Sequence, residues 1–176
     1  ALVVCPAHLV TQWAREMRKF APKIDAHVIK KSIPYPLPTM MGRQCDVVIA
    51  SYHMMSHGWA QVLADRIGLV VFDEVQELRH PDTHKYQWCS AVATKAKYRL
   101  GLSATPIHNY GDEIFNVIEV LAPDVLGNRV EFYREWCGPL SNGHQGIRDP
   151  RAFGSWARAN GVMLRRTRTD VGRELP

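Results

Sequence analysis

The sequence predicts an α/β domain with a mostly parallel central sheet and helices on both faces. Three observations carry that expectation. Short apolar runs alternate with segments of helical periodicity along the chain. The runs are continuous and rich in Val, Ile and Leu, as in strands covered on both faces. One of them, LVVFDEVQ (69–76), drives four apolar residues straight into the adjacent carboxylates Asp73 and Glu74. Ligands of an open parallel sheet bind beyond the carboxyl ends of its strands, so this strand delivers two acids to the ligand edge.

The elements follow in order. Leu2 to Cys5 is the first strand, ended by Pro6. Thr11 to Phe20, continuing from Val10, has Trp13, Met17 and Phe20 at helical spacing and stops at Pro22; Trp13 and Met17 are expected in the core. His27 to Ile29 is a second strand. IPYPLP (33–38) suits neither a helix nor a central strand and is expected to be an extended surface loop. Val47 to Ala50 is a third strand, and SYHMMSHG (51–58) reads as a loop. Leu69 to Phe72 is the fourth, followed by a weaker helix over Thr83 to Ala93. Tyr98 to Leu102 is the fifth, running out into Ser103 and Thr105, with Pro106 preventing further pairing. Gly111 to Leu121 is the clearest helix. Ile114, Phe115, Val117, Ile118 and Leu121 share one side, Asp112 and Glu113 lie in the first turn where the dipole favours them, and Pro123 follows. Asn128 to Pro150 combines a short helical pattern around Phe132 to Cys137 with a glycine- and asparagine-containing loop.

Composition sets the bounds. A chain of 176 residues with 46% hydrophobic content can bury one core of ordinary domain size. No apolar run approaches the roughly 20 residues that a bilayer requires, so no membrane partner is expected, and no signal peptide is recognisable. The chain opens on Ala1 and enters a buried-strand pattern at once, as expected of a segment from inside a larger protein. Cys5, Cys45, Cys89 and Cys137 stand about forty residues apart without a CxxC pair, which suits reduced thiols and an intracellular setting. His53 and His57 lack a neighbouring cysteine or carboxylate, so no structural metal is expected there. The formal charge is +5, and seven arginines against three acids from Arg148 onward carry +4 of it. Such a cluster suits a polyanion, and equally a solvated helix face.

Adjacent Asp and Glu on a strand end point in different directions. One can hold a hydrated Mg²⁺ while the other faces a water molecule, the division of labour required for phosphoanhydride hydrolysis. A strand ending in a solvated acidic turn fits the same eight residues.

The order of the segments adds a resemblance. VVCPAHLVTQWAREMRKFAP, VVIASYHMM, FDEVQELRHP and LGLSATPIHN resemble, in order, motifs Ia, Ib, II and III of the SWI/SNF-related family of helicase-like ATPases. DEIFNVIEVLAPDVLG is similar to the helix that follows motif III there, and VMLRRTRTDVGRELP to the segment closing the first lobe. The resemblance covers nearly the whole chain. It implies part of a RecA-like first lobe: residues 1–127 the ATPase lobe, and 128–176 a helical and loop extension leading toward a second lobe.

The family's activity is ATP-dependent translocation on double-stranded DNA, with ATP and Mg²⁺ as cofactors. The implied partners are duplex DNA, the second RecA-like lobe of the same chain, and nucleoprotein substrates. The implied setting is the cytoplasm of a prokaryote or phage-infected cell, or a nucleus. By resemblance Asp73 would hold Mg²⁺ through water, Glu74 would polarise the attacking water, and Gln76 would sense the γ-phosphate or the other lobe. Ser103 and Thr105 would couple nucleotide state to DNA grip. Ala7, His8, Ser51, Tyr52, Arg165 and Arg166 would face the DNA backbone, which can be bound without reading sequence.

Departures from the family pattern are Val75 and Gln76 in the acidic box, Arg79-His80 in place of Lys-Asn, and His108 after TPI. No GxxxxGK[ST] loop occurs in the 176 residues, so the phosphate cradle is expected upstream and this segment alone is expected to be inactive. A rival reading keeps the lobe as a non-catalytic DNA-binding or scaffolding module.

Overall fold

The computed structural model describes residues 1–40, 42–104, 110–140, 145–165 and 172. Strand β1 (Leu2–Cys5) is fully buried and runs through a tight turn at Ala7–Leu9 into helix α1 (Val10–Phe20). Strand β2 (Ala26–Val28) follows, then a two-residue antiparallel pair, β3 (Thr39–Met40) with β4 (Arg43–Gln44), and the buried β5 (Val47–Ser51). After the short helices α2 (Tyr52–Met54) and α3 (Ala60–Leu63) come β6 (Leu69–Asp73), α4 (His84–Lys95), β7 (Tyr98–Leu102) and α5 (Gly111–Leu121). The chain continues with α6 (Arg129–Trp136), an antiparallel ribbon of β8 (Cys137–Pro139) with β9 (Gln145–Ile147), and α7 (Pro150–Ala159).

The main sheet is parallel throughout, in the order β2-β5-β1-β6-β7. From β1 the chain turns first toward β2 and β5, then crosses to β6 and β7 on the other side. The strand order therefore reverses between β1 and β6, where an open α/β sheet forms its ligand crevice.

Strand alternation divides the core. Val3, Cys5, Val47 and Ile49 pack with Trp13 and Met17 of α1 on one face. Leu2, Val4, Val48, Ala50, Val70 and Phe72 face the helices on the other. Helix α1 covers only part of its face: Leu69, Tyr98, Leu100 and Leu102, in register on β6 and β7, remain exposed. A second cluster joins Ile114, Phe115 and Ile118 of α5 to Phe132 and Phe153, while Val117 and Val120 of α5 belong to the main core. One helix thus serves two cores.

Several expectations are corrected. SYHMMSHG is helical, not a loop: the Ser51 hydroxyl caps it, and Met55, Trp59 and Leu63 recur every four residues on a buried side. Its polar residues and the kink at His57 and Gly58 hide that periodicity. The proline-rich segment is more than a surface loop, since Tyr35 packs edge-on against Trp59 and Leu37 is buried. Asn128 to Pro150 contains a ribbon as well as a helix that starts three residues earlier than expected. Asn128 and Glu131 start it by bonding each other's backbone amides. Helix α7 begins on the Asp149 cap with Pro150 in its first turn.

Gly101 lets α5 approach the sheet. A Cβ there would lie 2.6 Å from Leu121 Cδ1 and 3.1 Å from Val75 Cγ1. Gly101→Ala is expected to destabilise the fold by about 1–3 kcal/mol through overpacking, measured as a lower urea midpoint with unchanged slope.

All four cysteines are free, and only Cys45 is partly exposed. Burial, aided by the Asp73 charge, pushes the Cys5 thiol up to about 12, and burial pushes Cys137 up to about 11. A folded-state pKa above the unfolded one leaves stability intact below the ordinary value of 9.0 and erodes it as pH rises toward 12. Iodoacetamide at pH 8 is expected to label Cys45 first and to reach the other three only on unfolding. Denaturant midpoints should fall as pH rises above about 9.

Candidate functional site

The site forms where β6 ends. Alternation places Phe72 in the main core and the Asp73 side chain on the α1 face, beside the β1–α1 turn. Asp73 is held from three directions. Trp13 Nε1 donates to Oδ2 at 2.7 Å, the Glu74 amide donates to Oδ1 at 3.0 Å, and the Tyr52 hydroxyl donates to the Asp73 carbonyl at 2.9 Å. Glu74 then reverses the backbone in the left-handed region, at φ 50° and ψ 54°, a conformation uncommon for a residue with a Cβ. Val75 and Leu78, buried in the following turn, anchor what comes next.

Gln76 bridges the strand ends. Its Nε2 donates to Glu74 Oε2 at 2.6 Å and its Oε1 accepts from Ser103 Oγ at 2.7 Å, so β6 and β7 are tied beyond their last paired residues. A side-chain amide can donate to the carboxylate and accept from the hydroxyl at once. The network continues away from the carboxylates. Arg79 Nη1 donates to the Gln76 carbonyl at 3.1 Å, and Arg79 Nε lies 3.7 Å from Glu113 Oε1. Asn116, buried in α5, donates to the Arg79 carbonyl at 2.7 Å and accepts from Arg129 at 2.6 Å. Lys85 of α4 pairs with Glu77 and lies over the Tyr52 ring.

The structure thus brings Asp73, Glu74, Gln76 and Ser103 into one connected set. Thr105 and Arg166 lie outside the described residues. Ala7 and His8 are exposed in the turn between β1 and α1, and Arg165 is exposed beyond α7. Tyr52 is 5% exposed with its hydroxyl donating to the Asp73 carbonyl, and buried Ser51 caps α2 through its own hydroxyl. Burial drives the Tyr52 hydroxyl far above its ordinary pKa, which keeps it a donor at any physiological pH. Trp13 is half-buried, as its spacing suggests, but its indole N–H also serves the site. A partly buried indole donor needs an acceptor, and that was the available signal. Arg79, a departure in the acidic box, carries the link toward α5.

Among the described residues neither Asp73 nor Glu74 forms an ion pair, and no cluster of three or more potential metal ligands occurs. Two adjacent carboxylates without a cation suit Mg²⁺, which is held by one or two carboxylates together with waters and substrate phosphates. They do not suit an all-protein metal cage.

Asn116→Leu keeps the volume but leaves the Arg79 carbonyl without its side-chain donor. It is expected to destabilise the protein by about 1–3 kcal/mol, a loss that chemical denaturation would measure.

The sequence is 33% identical over 176 residues to the ATP-dependent helicase YqhH of Bacillus subtilis, covering 97% of this chain and 28% of that protein. It is 27% identical over 196 residues to the DNA repair protein rhp54 of Schizosaccharomyces pombe, covering 100% of this chain and 23% of that one. The chain therefore spans about a quarter of the length of these relatives. A solved Sulfolobus solfataricus SWI2/SNF2 ATPase core in complex with dsDNA shares the fold, with a TM-score of 0.70 at 24% identity over 98% of this chain and 34% of that one. The model of the SNF2-related domain matches residues 1–176 from end to end, and the chain belongs to that family.

Proposed function

We propose that this chain is part of the first RecA-like lobe of an ATP-dependent motor that translocates on double-stranded DNA. The observation that carries the proposal is the pair Asp73 and Glu74. They stand at the end of a strand whose Val70 and Phe72 are buried in the core, beside the point where strand order reverses, with no cationic partner among the described residues. Membership of the family, a relative named an ATP-dependent helicase and a fold neighbour solved with dsDNA support ATP as substrate and duplex DNA as track. Among the described residues no helix is long and apolar enough to cross a membrane.

The residues divide the work. Asp73, with a donor on each carboxylate oxygen, keeps free lone pairs for a hydrated Mg²⁺, which when bound supplies charge neutralisation to the ATP phosphates. Glu74, held by Gln76, orients and polarises the attacking water. Gln76 passes the position of Glu74 to Ser103 on the neighbouring strand end, and Thr105 belongs to the same coupling segment. Ala7, His8, Arg165 and Arg166, together with the strand-end chain at Ser51 and Tyr52, supply contacts to the DNA backbone. Residues 128–176 close the lobe and lead toward a second lobe of the same chain.

In the full-length protein Glu74→Gln is expected to leave nucleotide affinity nearly unchanged and to lower DNA-stimulated turnover by about 10²- to 10⁴-fold, the usual worth of a positioned base. Asp73→Asn should instead weaken Mg²⁺-dependent nucleotide binding. Equilibrium binding of a fluorescent ATP analogue and phosphate release with and without duplex DNA measure both. Near-normal turnover in Glu74→Gln would make the carboxylates an acidic strand end and favour the scaffolding alternative.

A further inference from the structure

We propose that Trp13 is a positioning residue for the metal-binding carboxylate: its indole N–H sets the orientation of Asp73, so the carboxylate is aligned before Mg²⁺ and nucleotide arrive. This inference rests on the assignment of Asp73 to Mg²⁺ made above.

The geometry is specific. Asp73 is the last residue of β6, and its side chain leaves the sheet on the face that α1 covers. Trp13 sits in the first turn of α1, partly buried against the cluster that contains Val3, Cys5, Val47 and Ile49, with its single polar atom 2.7 Å from Oδ2. Apolar packing restricts the rotation of a ring, so the N–H approaches the carboxylate from the α1 side. An indole nitrogen can only donate, so it binds the ionised carboxylate and never competes for the cation. The other donor to the carboxylate is the neighbouring backbone amide, which reaches Oδ1. With one donor on each oxygen the carboxylate plane is set, and each oxygen keeps an acceptor site. Such outer partners orient metal-binding groups, and their loss typically reduces metal affinity by about 10- to 100-fold.

Trp13 is also an apolar packing residue, so the test separates the N–H from the ring. In the full-length protein Trp13→Phe keeps the aromatic packing and removes the donor, whereas Trp13→Gln keeps an N–H donor and gives up the ring. The readout is the Mg²⁺ concentration giving half-maximal binding of a non-hydrolysable ATP analogue, with thermal midpoints measured in parallel. Trp13→Phe is expected to raise that concentration by about 10- to 100-fold with little change in midpoint. Trp13→Gln should lower the midpoint yet stay closer to wild type in its Mg²⁺ requirement. Asp73→Asn should raise the requirement by itself, and adding Trp13→Phe to it should raise it no further.

If Asp73→Asn raises the requirement while Trp13→Phe leaves it at the wild-type level, the inference about Trp13 is overturned and the assignment of Asp73 stands. If Asp73→Asn itself leaves the requirement unchanged, Asp73 does not hold the metal and both fall. A Mg²⁺ requirement that follows the loss of the ring and not of the N–H, greater in Trp13→Gln than in Trp13→Phe, also overturns it. Should Trp13→Phe not fold, Trp13→Leu set against Trp13→Gln provides the same contrast of donor lost and donor kept.

Discussion

The three hydrogen bonds that converge on Asp73 hold the site together. Two come from elements far apart in sequence, an indole on α1 and a phenol at the start of α2, and the third from the amide of the next residue. Each donor is itself fixed by packing, Trp13 against the α1 face of the sheet and Tyr52 in the main core beside Phe72. Partly burying a charged carboxylate at a strand end is costly unless donors such as the Trp13 indole and the Glu74 amide solvate it. Here the donors do more than satisfy it. They tie the ends of β1, β5 and β6 into one rigid edge, and rigid placement is what allows a carboxylate to orient a single water or hydrated ion.

The same edge is linked to the second hydrophobic cluster through α5. Val117 and Val120 are locked into the main core and Ile114, Phe115 and Ile118 into the other, so the helix cannot shift without disturbing both. Asn116 lies between these two apolar sets and connects the Arg79 carbonyl to Arg129, whose guanidinium also lies over the Phe115 ring. A continuous path of hydrogen bonds therefore runs from Glu74 through Gln76 and Arg79 to the start of α6. Close approach is part of the same design. Without a side chain at Gly101, Leu121 and Val75 can meet over β7.

Much of this was legible in the sequence for identifiable reasons. Strand β1, and β5 up to Ala50, are unbroken apolar runs, and parallel strands buried on both faces leave that mark. Helix α5 has strong apolar periodicity and acids in its first turn. The carboxylates were visible because a strand that is apolar to its last residue makes a following Asp-Glu conspicuous. The helical nature of residues 52–63 was hidden because its buried positions, Met55, Trp59 and Leu63, are separated by Ser, His and Gly. Helix α7 was missed although it carries a start signal, the Asp149 cap with Pro150, and buries Phe153 and Ala157 at helical spacing.

The sequence by itself determined where the main strands run, where the acidic pair falls, and that Trp13 belongs to a packed helix face, because these depend on local pattern and on the period of each element. Only the tertiary structure decided which donors reach that pair. The indole of Trp13 meets Asp73 across sixty positions of sequence because β1 and β6 are neighbours in the sheet and strand alternation turns the Asp73 side chain to the face that α1 covers. The Tyr52 hydroxyl is directed inward to a backbone carbonyl because the chain after β5 coils back over the core as a helix. Strand order and face are properties of the assembled sheet, and no single segment carries them.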